Sequence, residues 1–270
     1  MKTRRFAYPY GVWIILFTLA PLGLLLYYSL ISPNHAGITL ANFQKFTNPI
    51  YVMVLVRSIL LALVCTVICL LIAYPVAYIL AKQKKGAFLS LLFILPMWMN
   101  FLLRTYAWMT ILENTGIINK LLGFIGLPQA SLMYNTQAVI MGMVYNFLPF
   151  MILPLYTSLQ KMDPALIEGA QDLGANPTTV FRRITLPLSM PGIVSGITMV
   201  FMPAVTTFVI SRLLGGSQFM MFGDLIEQQF LTNNNWNFGA ALSLIMMVIM
   251  LLSMAVMNHF NKGIEGRALL

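Results

Sequence analysis

Residues 163–187 read DPALIEGAQDLGANPTTVFRRITLP, the longest polar, charge-bearing interval in an otherwise mostly apolar chain. Such a run belongs in water. Asp163 is placed to cap a helix that begins at Pro164, Gly174 to close that helix in a left-handed conformation, and Asn176 with Pro177 to start a second one. The predicted unit is helix, turn, helix. On its first helix Leu166, Ala170 and Leu173 share a face with Ile167 beside them, whereas Glu168, Gln171 and Asp172 point elsewhere. An apolar face outside a bilayer requires a protein partner or the membrane surface; the bland alternative is a well-capped connector between two membrane helices.

Working outward, 59% hydrophobic and 9% charged residues with a mean hydropathy of +0.83 describe a membrane protein, not a soluble domain of 270 residues. The net charge of +9 does not point to nucleic acid, because Lys and Arg stand in short clusters between apolar runs and form no single basic face. Cys65 and Cys69 lie one helical turn apart within an apolar run, with no nearby His or further Cys to complete a metal site. They read as small packing residues, and no cofactor is expected.

Apolar runs predict an all-α polytopic protein with six spans, at about residues 11–31, 56–81, 87–112, 136–159, 190–214 and 239–260. The apolar piece at 117–125 is too short to cross and either lies on the surface or re-enters. A short amphipathic helix is expected at DLIEQQF, residues 224–230. The expected division is an N-terminal helix and outer loop at 1–55, a transmembrane domain at 56–260 that contains the 163–187 loop, and a tail at 261–270. Lys2, Arg4 and Arg5, then Lys82, Lys84 and Lys85, then Lys161, Arg182 and Arg183, then Lys262 and Arg267 fall on one side of this layout, against Lys45, Arg57, Lys120 and Arg212 on the other. The positive-inside rule therefore places both termini and the 163–187 loop in the cytoplasm.

No phosphate-binding G-x-x-x-x-G-K-[ST] loop, H-E-x-x-H helix or G-x-S-x-G turn occurs, so the chain is expected to be no enzyme and to hydrolyse no ATP alone. A self-sufficient channel or secondary carrier is the competing class. A carrier needs ionisable groups at mid-membrane for ion coupling, and the deep positions here are Asn, Ser, Thr and Pro.

In the third span Asn100, Arg104 and Trp108 recur every fourth residue and form one stripe, with Tyr106 and Glu113 on roughly the opposite face. Counted along a straight helix from Ala87, Arg104 stands about 26 Å up a core of about 30 Å. It reads either as an outer-interface anchor beside Trp108 or as a residue of the outer vestibule. Further path candidates are Asn146 in the fourth span and Pro203, Thr206 and Thr207 in the fifth. Pro203 is expected to bend that span near its middle, because proline removes the hydrogen bond to Met199 and leaves polar neighbours to complete the break.

Glu168-Gly169-Ala170, Gly174 after three residues, and Ile184, Leu186 and Pro187 after nine more resemble the EAA loop of ABC-importer permeases. Gly169 stands where that family usually has Ala, a local departure of roughly 1 kcal/mol in helix propensity. The resemblance implies the type I importer permease fold and assigns these seven residues to docking on a cytoplasmic ABC ATPase dimer. The runs Met143–Tyr156, Arg104–Trp108, Gln229–Leu231 and Trp236–Gly239 extend the resemblance over nearly the whole chain, to the first permease subunit of spermidine/putrescine importers. That implies a second homologous permease as heterodimer partner and an extracytoplasmic polyamine-binding protein, in the inner membrane of a bacterium. A polycation suits carboxylates and aromatic faces, which Glu113, Asp224, Glu227 and Trp236 offer on the outer side. They serve either as a docking surface for the binding protein, the preferred reading, or in direct substrate contact.

Overall fold

The computed structural model describes residues 7–32, 35–216 and 219–268, with backbone alone at 7–9, 32, 35, 36 and 260–268. Lys2, Arg4 and Arg5 of the topology argument lie outside the described residues, and Lys262 and Arg267 are described without side chains.

The first span is two helices, α1 (Ala7–Ile14) and α2 (Ala20–Leu30), fused by a π turn over Ile15–Leu19. None of its most apolar window is buried by the rest of the chain, which leaves its sides to lipid or to another subunit. The following polar loop is ordered. β1 (Ile31–Ser32) and β2 (His35–Ile38) pair antiparallel, and α3 (Ala41–Phe46) places the Asn42 amide to donate to the Ser29 and Ile31 carbonyls at 2.9 Å each.

The second span, α4 (Pro49–Lys82), begins at a cap in which Asn48 accepts the Ile50 N–H and runs 34 residues. Ser58, Ala62, Cys65, Cys69, Ala73 and Ala77 follow one another at three- and four-residue steps, and all are fully buried. A stripe of small side chains lets neighbouring helices approach closely, which supplies association within lipid where the hydrophobic effect is weak. Cys65 and Cys69 thus serve as packing residues; the Cys69 thiol sits 3.8 Å from the Val144 carbonyl of the fourth span.

The third span departs from expectation. It is α5 (Gly86–Ile94), a 3₁₀ turn (Leu95–Trp98) and then α6 (Phe101–Leu112), with a bend of 88° between Gly86–Trp98 and Phe101–Phe124. Pro96 tightens the turn, Met99 and Asn100 are extended, and the Asn100 carboxamide caps the new helix by accepting the Leu102 N–H at 2.8 Å. Asn100 is therefore not the first member of a helical stripe, and the straight-helix height for Arg104 does not apply. Five helices are long and apolar enough to cross a membrane, and counting the bent pair as one span makes six. The chain continues through α7 (Ile117–Phe124), the short apolar piece, whose buried Asn119 ties it to Glu113 and Ala130.

The fourth span, α8 (Thr136–Gln160), matches its expected bounds and packs against the small-residue stripe of α4. Beyond it come α9 (Pro164–Asp172), α10 (Pro177–Val180), a π turn (Phe181–Thr185) and α11 (Leu186–Thr206). Residues Pro177–Thr206 form one continuous span of 30 residues. The second helix of the loop is thus not separate from the fifth span. Leu186 donates to Phe181 five residues back, and the widened turn accommodates Pro187, which has no N–H to give. Gly192 and Gly196 let α11 meet α8: a β-carbon at either would stand 2.5 Å from Ser158 Cβ or 2.6 Å from Met151 Sδ.

The fifth span also ends earlier than expected. Thr207 is extended, and residues 209–214 form a separate helix, α12 (Val209–Leu214). Pro203 consequently sits in the last turn of α11, not mid-span, and the Thr206 hydroxyl donates back to the Met202 and Pro203 carbonyls at 3.2 and 3.3 Å. The amphipathic helix is α13 (Phe222–Leu231), and the sixth span is α14 (Trp236–Ala268), which starts three residues early and runs on through the expected tail. The Asn237 amide holds α14 to the first span by donating to Tyr28 and Ile31 carbonyls at 3.0 and 2.7 Å.

Candidate functional site

The 163–187 unit is built as its sequence dictates. Asp163 accepts the Ala165 N–H at 3.0 Å and Asn176 the Thr179 N–H at 2.8 Å. Gly174 has φ +81°, Gly174 N–H reaches the Gln171 carbonyl and Ala175 N–H the Ala170 carbonyl, which together close α9 with a paired C-terminal motif. No residue of α9 is buried: Leu166 is 50% exposed, and Leu173, which follows the helix, is 90% exposed. Among the described residues the apolar face of α9 is thus only partly covered, with Ile167 and Ala170 half-buried and Leu166 and Leu173 open to another protein.

Two grooves flank α9. One of about 580 Å³ lies between the end of α8 and the start of α11, where Thr157, Ser158 and Ser195 meet Lys161 and Leu166. The other, of about 440 Å³, separates α9 from the last turn of α4 and is lined by Tyr78, Lys82, Glu168, Gln171 and Thr185. Glu168 is thus on the side of α9 that faces Lys82. Gly169 is helical with open space beside it, Ala170 is half-buried, and Ile184 and Leu186 are half-buried where the π turn meets α11, with Pro187 exposed. Sequence reasoning did not find the hydroxyl-lined groove, because Thr157 and Ser158 stand on one span and Ser195 on another, and no local pattern brings them together.

The path candidates do not form one cluster. Arg104 is 8% exposed, and its Nε and Nη1 have no hydrogen-bond partner among the described residues. Trp108 packs edge-on against Tyr145 at 5.2 Å, and Tyr106 is half-exposed. Asn146 is buried, donating to the Gly142 carbonyl at 2.9 Å while its Oδ1 is unpartnered. Pro203, Thr206 and Thr207 lie elsewhere, at the end of α11, where the Thr206 and Thr207 carbonyls crowd Gly223 of α13.

The acidic group is likewise divided. Asp224 is 9% exposed and serves within the chain: its Oδ2 accepts from Ser211 Oγ and the Met221 N–H, capping α13 and holding α12 to it. Burial pushes its carboxyl up to about 6, the two hydrogen bonds pulling the other way. Glu227 receives both its contacts from Arg212 Nη1, at 2.7 and 2.9 Å, and shares with Asp224 a cleft of about 290 Å³. Glu113 ends α6 in a different pocket, beside Tyr134. Trp236 is half-exposed against Phe230 and Tyr28, at 5.5 and 6.4 Å. Sequence reasoning missed Ser211, Arg212 and Ser58, whose Oγ accepts the Phe222 N–H at 2.7 Å and fixes α13 on α4.

Comparison with known proteins gives three kinds of likeness. Residues 70–266 match the family described as "Binding-protein-dependent transport system inner membrane component". The "Spermidine/putrescine transport system permease protein PotB" of Escherichia coli K12 is 38% identical over 266 residues, covering 94% of this chain and 97% of that protein. The protein of the same name from Haemophilus influenzae is 40% identical over 259 residues, covering 93% and 91%. Among solved structures, a bacterial alginate ABC transporter in complex with an alginate pentasaccharide-bound periplasmic protein superposes with a TM-score of 0.77 at 19% identity, over 97% of this chain and 94% of the matched chain.

Proposed function

Since the chain belongs to the family of binding-protein-dependent transport system inner membrane components, and is thus a multi-pass permease subunit of an ABC importer, we propose that its cargo is spermidine or putrescine. The near full-length similarity to permeases named for those two amines supports the cargo. The observation that carries the mechanism is α9: a doubly capped helix with no buried residue, presented beyond the ends of two long spans.

In this reading Glu168, Gly169, Ala170 and Gly174 form the surface on which a separate ATPase dimer acts, and Ile184, Leu186 and Pro187 pass its movement to α11. The termini and α9 face the cytoplasm. A second, homologous permease covers the lipid-free faces, and an extracytoplasmic binding protein delivers the amine. Substrate affinity resides in that binding protein, so the buried Arg104 does not oppose passage of a cation. Arg104, Trp108 and Asn146 belong to the wall between α6 and α8, and Glu227 with Trp236 to the outer docking surface; the domain division at 56–260 follows the same scheme.

The test is ATP hydrolysis by the purified complex of this chain with its partner subunits. Binding protein loaded with spermidine or putrescine is expected to stimulate it, and binding protein offered anions or sugars is not. Stimulation by an anion alone would remove the polyamine assignment and leave the family standing.

A further inference from the structure

The helix α7 is built inside out. Its carboxamide residue, Asn119, is 2% exposed: Nδ2 donates to the Ala130 carbonyl at 3.0 Å and the Glu113 carbonyl at 3.3 Å, and Oδ1 accepts the Ala130 N–H at 2.9 Å. These bonds, to the segments on either side, fix the roll of the helix. At about 100° per residue, the side opposite Asn119 carries Ile117, Leu121 and Phe124. They are 57%, 57% and 92% exposed, and Ile125, which follows the helix, is 70% exposed. The polar side chain is inside and the large apolar ones are outside, the reverse of a helix that packs on protein and faces water.

Such a face needs permanent cover, because a protein that docks and leaves returns it to water in every cycle. A helix of eight residues is too short to cross a bilayer and can only lie along one. The chain reaches it through the bend of 88° between Gly86–Trp98 and Phe101–Phe124, so α7 does not continue in the direction in which the third span enters the membrane. Lys120 is the only charged residue between Gly116 and Ser131. It is exposed, stands at the border of the apolar face beside Phe124, and makes no ion pair among the described residues. A subunit seated here would have to supply Lys120 with a carboxylate, whereas a headgroup layer offers it phosphate and water while the apolar side chains enter the acyl region.

We propose that α7 is an in-plane anchor in the outer leaflet of the bilayer, with Ile117, Leu121 and Phe124 among the first acyl carbons and Lys120 at the phosphates. Lipid on one side and the Asn119 bonds on the other then hold the end of α6, which residues 113–116 join to α7. The proposal rests on the topology that puts this side of the chain outside the cytoplasm.

The complex with its partner subunits, reconstituted in nanodiscs of phosphatidylethanolamine and phosphatidylglycerol, is spin-labelled in four variants, Ile117→Cys, Lys120→Cys, Leu121→Cys and Phe124→Cys. Cys65→Ala and Cys69→Ala remove the native thiols, both buried in α4. Relaxation of each nitroxide by oxygen, which concentrates in lipid, is compared with relaxation by a nickel chelate, which stays in water. Oxygen is expected to dominate several-fold at positions 117, 121 and 124, and nickel at 120. Nickel dominating at 121 and 124 would show a face in water, and immobilised labels shielded from both agents would show a protein partner; either result overturns the proposal. A membrane-impermeant maleimide is expected to block Lys120→Cys in right-side-out vesicles. Blocking only after permeabilisation would overturn the outer-leaflet placement and the topology together, leaving the depth result to be read by itself. Neither measurement uses substrate, so failure here is distinct from failure of the polyamine assignment, which substrate-stimulated ATP hydrolysis measures.

Discussion

Ser211 Oγ stands 2.5 Å from Asp224 Oδ2, and the same oxygen accepts the Met221 N–H at 2.8 Å, so one buried carboxylate joins α12 to the start of α13. Burial raises the Asp224 pKa from 3.8 to about 6, outweighing the lowering by those hydrogen bonds. The folded chain therefore holds this proton more tightly than the unfolded chain does. The contribution to stability is full below about pH 4 and is lost as pH rises through about 6. Thermal unfolding of the wild type relative to Asp224→Asn is expected to worsen from pH 5 to pH 7.5; a constant difference would show that Asp224 does not titrate in that window.

The closure of α9 depends on Gly174, whose φ of +81° suits glycine. Gly174→Val should cost roughly 1–2 kcal/mol locally and misdirect the chain into α10. Glu168→Arg should set like charge against Lys82 across their groove. Both variants are expected to reach the membrane and to lose ATPase association or the coupling of hydrolysis to uptake. Co-purification and transport in proteoliposomes measure this, and normal values in both would reduce the unit to a connector.

Gly169 has nothing within 4 Å of the position a β-carbon would take. Gly169→Ala is therefore expected to stabilise α9 by up to about 1 kcal/mol with transport retained. Slower proteolysis of the loop in the isolated permease checks it.

The small-residue stripe of α4 leaves no room. Ala73→Leu, at a position with no exposure, is expected to destabilise the bundle by about 1–3 kcal/mol through overpacking against its neighbours. Val67→Leu, on the exposed side of the same helix, should be neutral. Melting temperatures of the two detergent-solubilised variants decide the matter, and equal values would mean that α4 tolerates larger side chains at its buried face.

Pro203→Ala supplies an N–H for the Met199 carbonyl in the last turn of α11 and favours helix through Thr207. Slower transport with an intact complex is expected. Unchanged uptake would mean that the break before α12 is set by packing alone.

The 163–187 unit was legible because capping is local: Asp163, Gly174 and Asn176 act on N–H groups within a few residues of themselves. Spans were legible wherever apolar runs met ordinary ends, as in α8. The failures share a cause. At Pro96–Asn100 and at Pro203–Thr207 the apolar run continues while the helix does not, because hydropathy is blind to a missing N–H or to a side chain that turns back on its own backbone. The roles of Asp224 and Glu227 depended on Ser211 and Arg212, 13 and 15 residues away, which no local pattern reveals.

The π turn at Phe181–Thr185 fuses α10 to α11 without a break, and Gly174 is the positive-φ residue between α9 and Thr206. Mechanically, the region is a lever with a single joint at one end. Thirty residues of helix make an arm of about 45 Å, so a tilt of about 10° at the joint sweeps the far end, where Pro203 and Thr206 lie, through about 8 Å. In the proposed mechanism a small tilt at α9 would thus be amplified at the Pro203 end, as far as the close contacts of Gly192 and Gly196 with α8 allow.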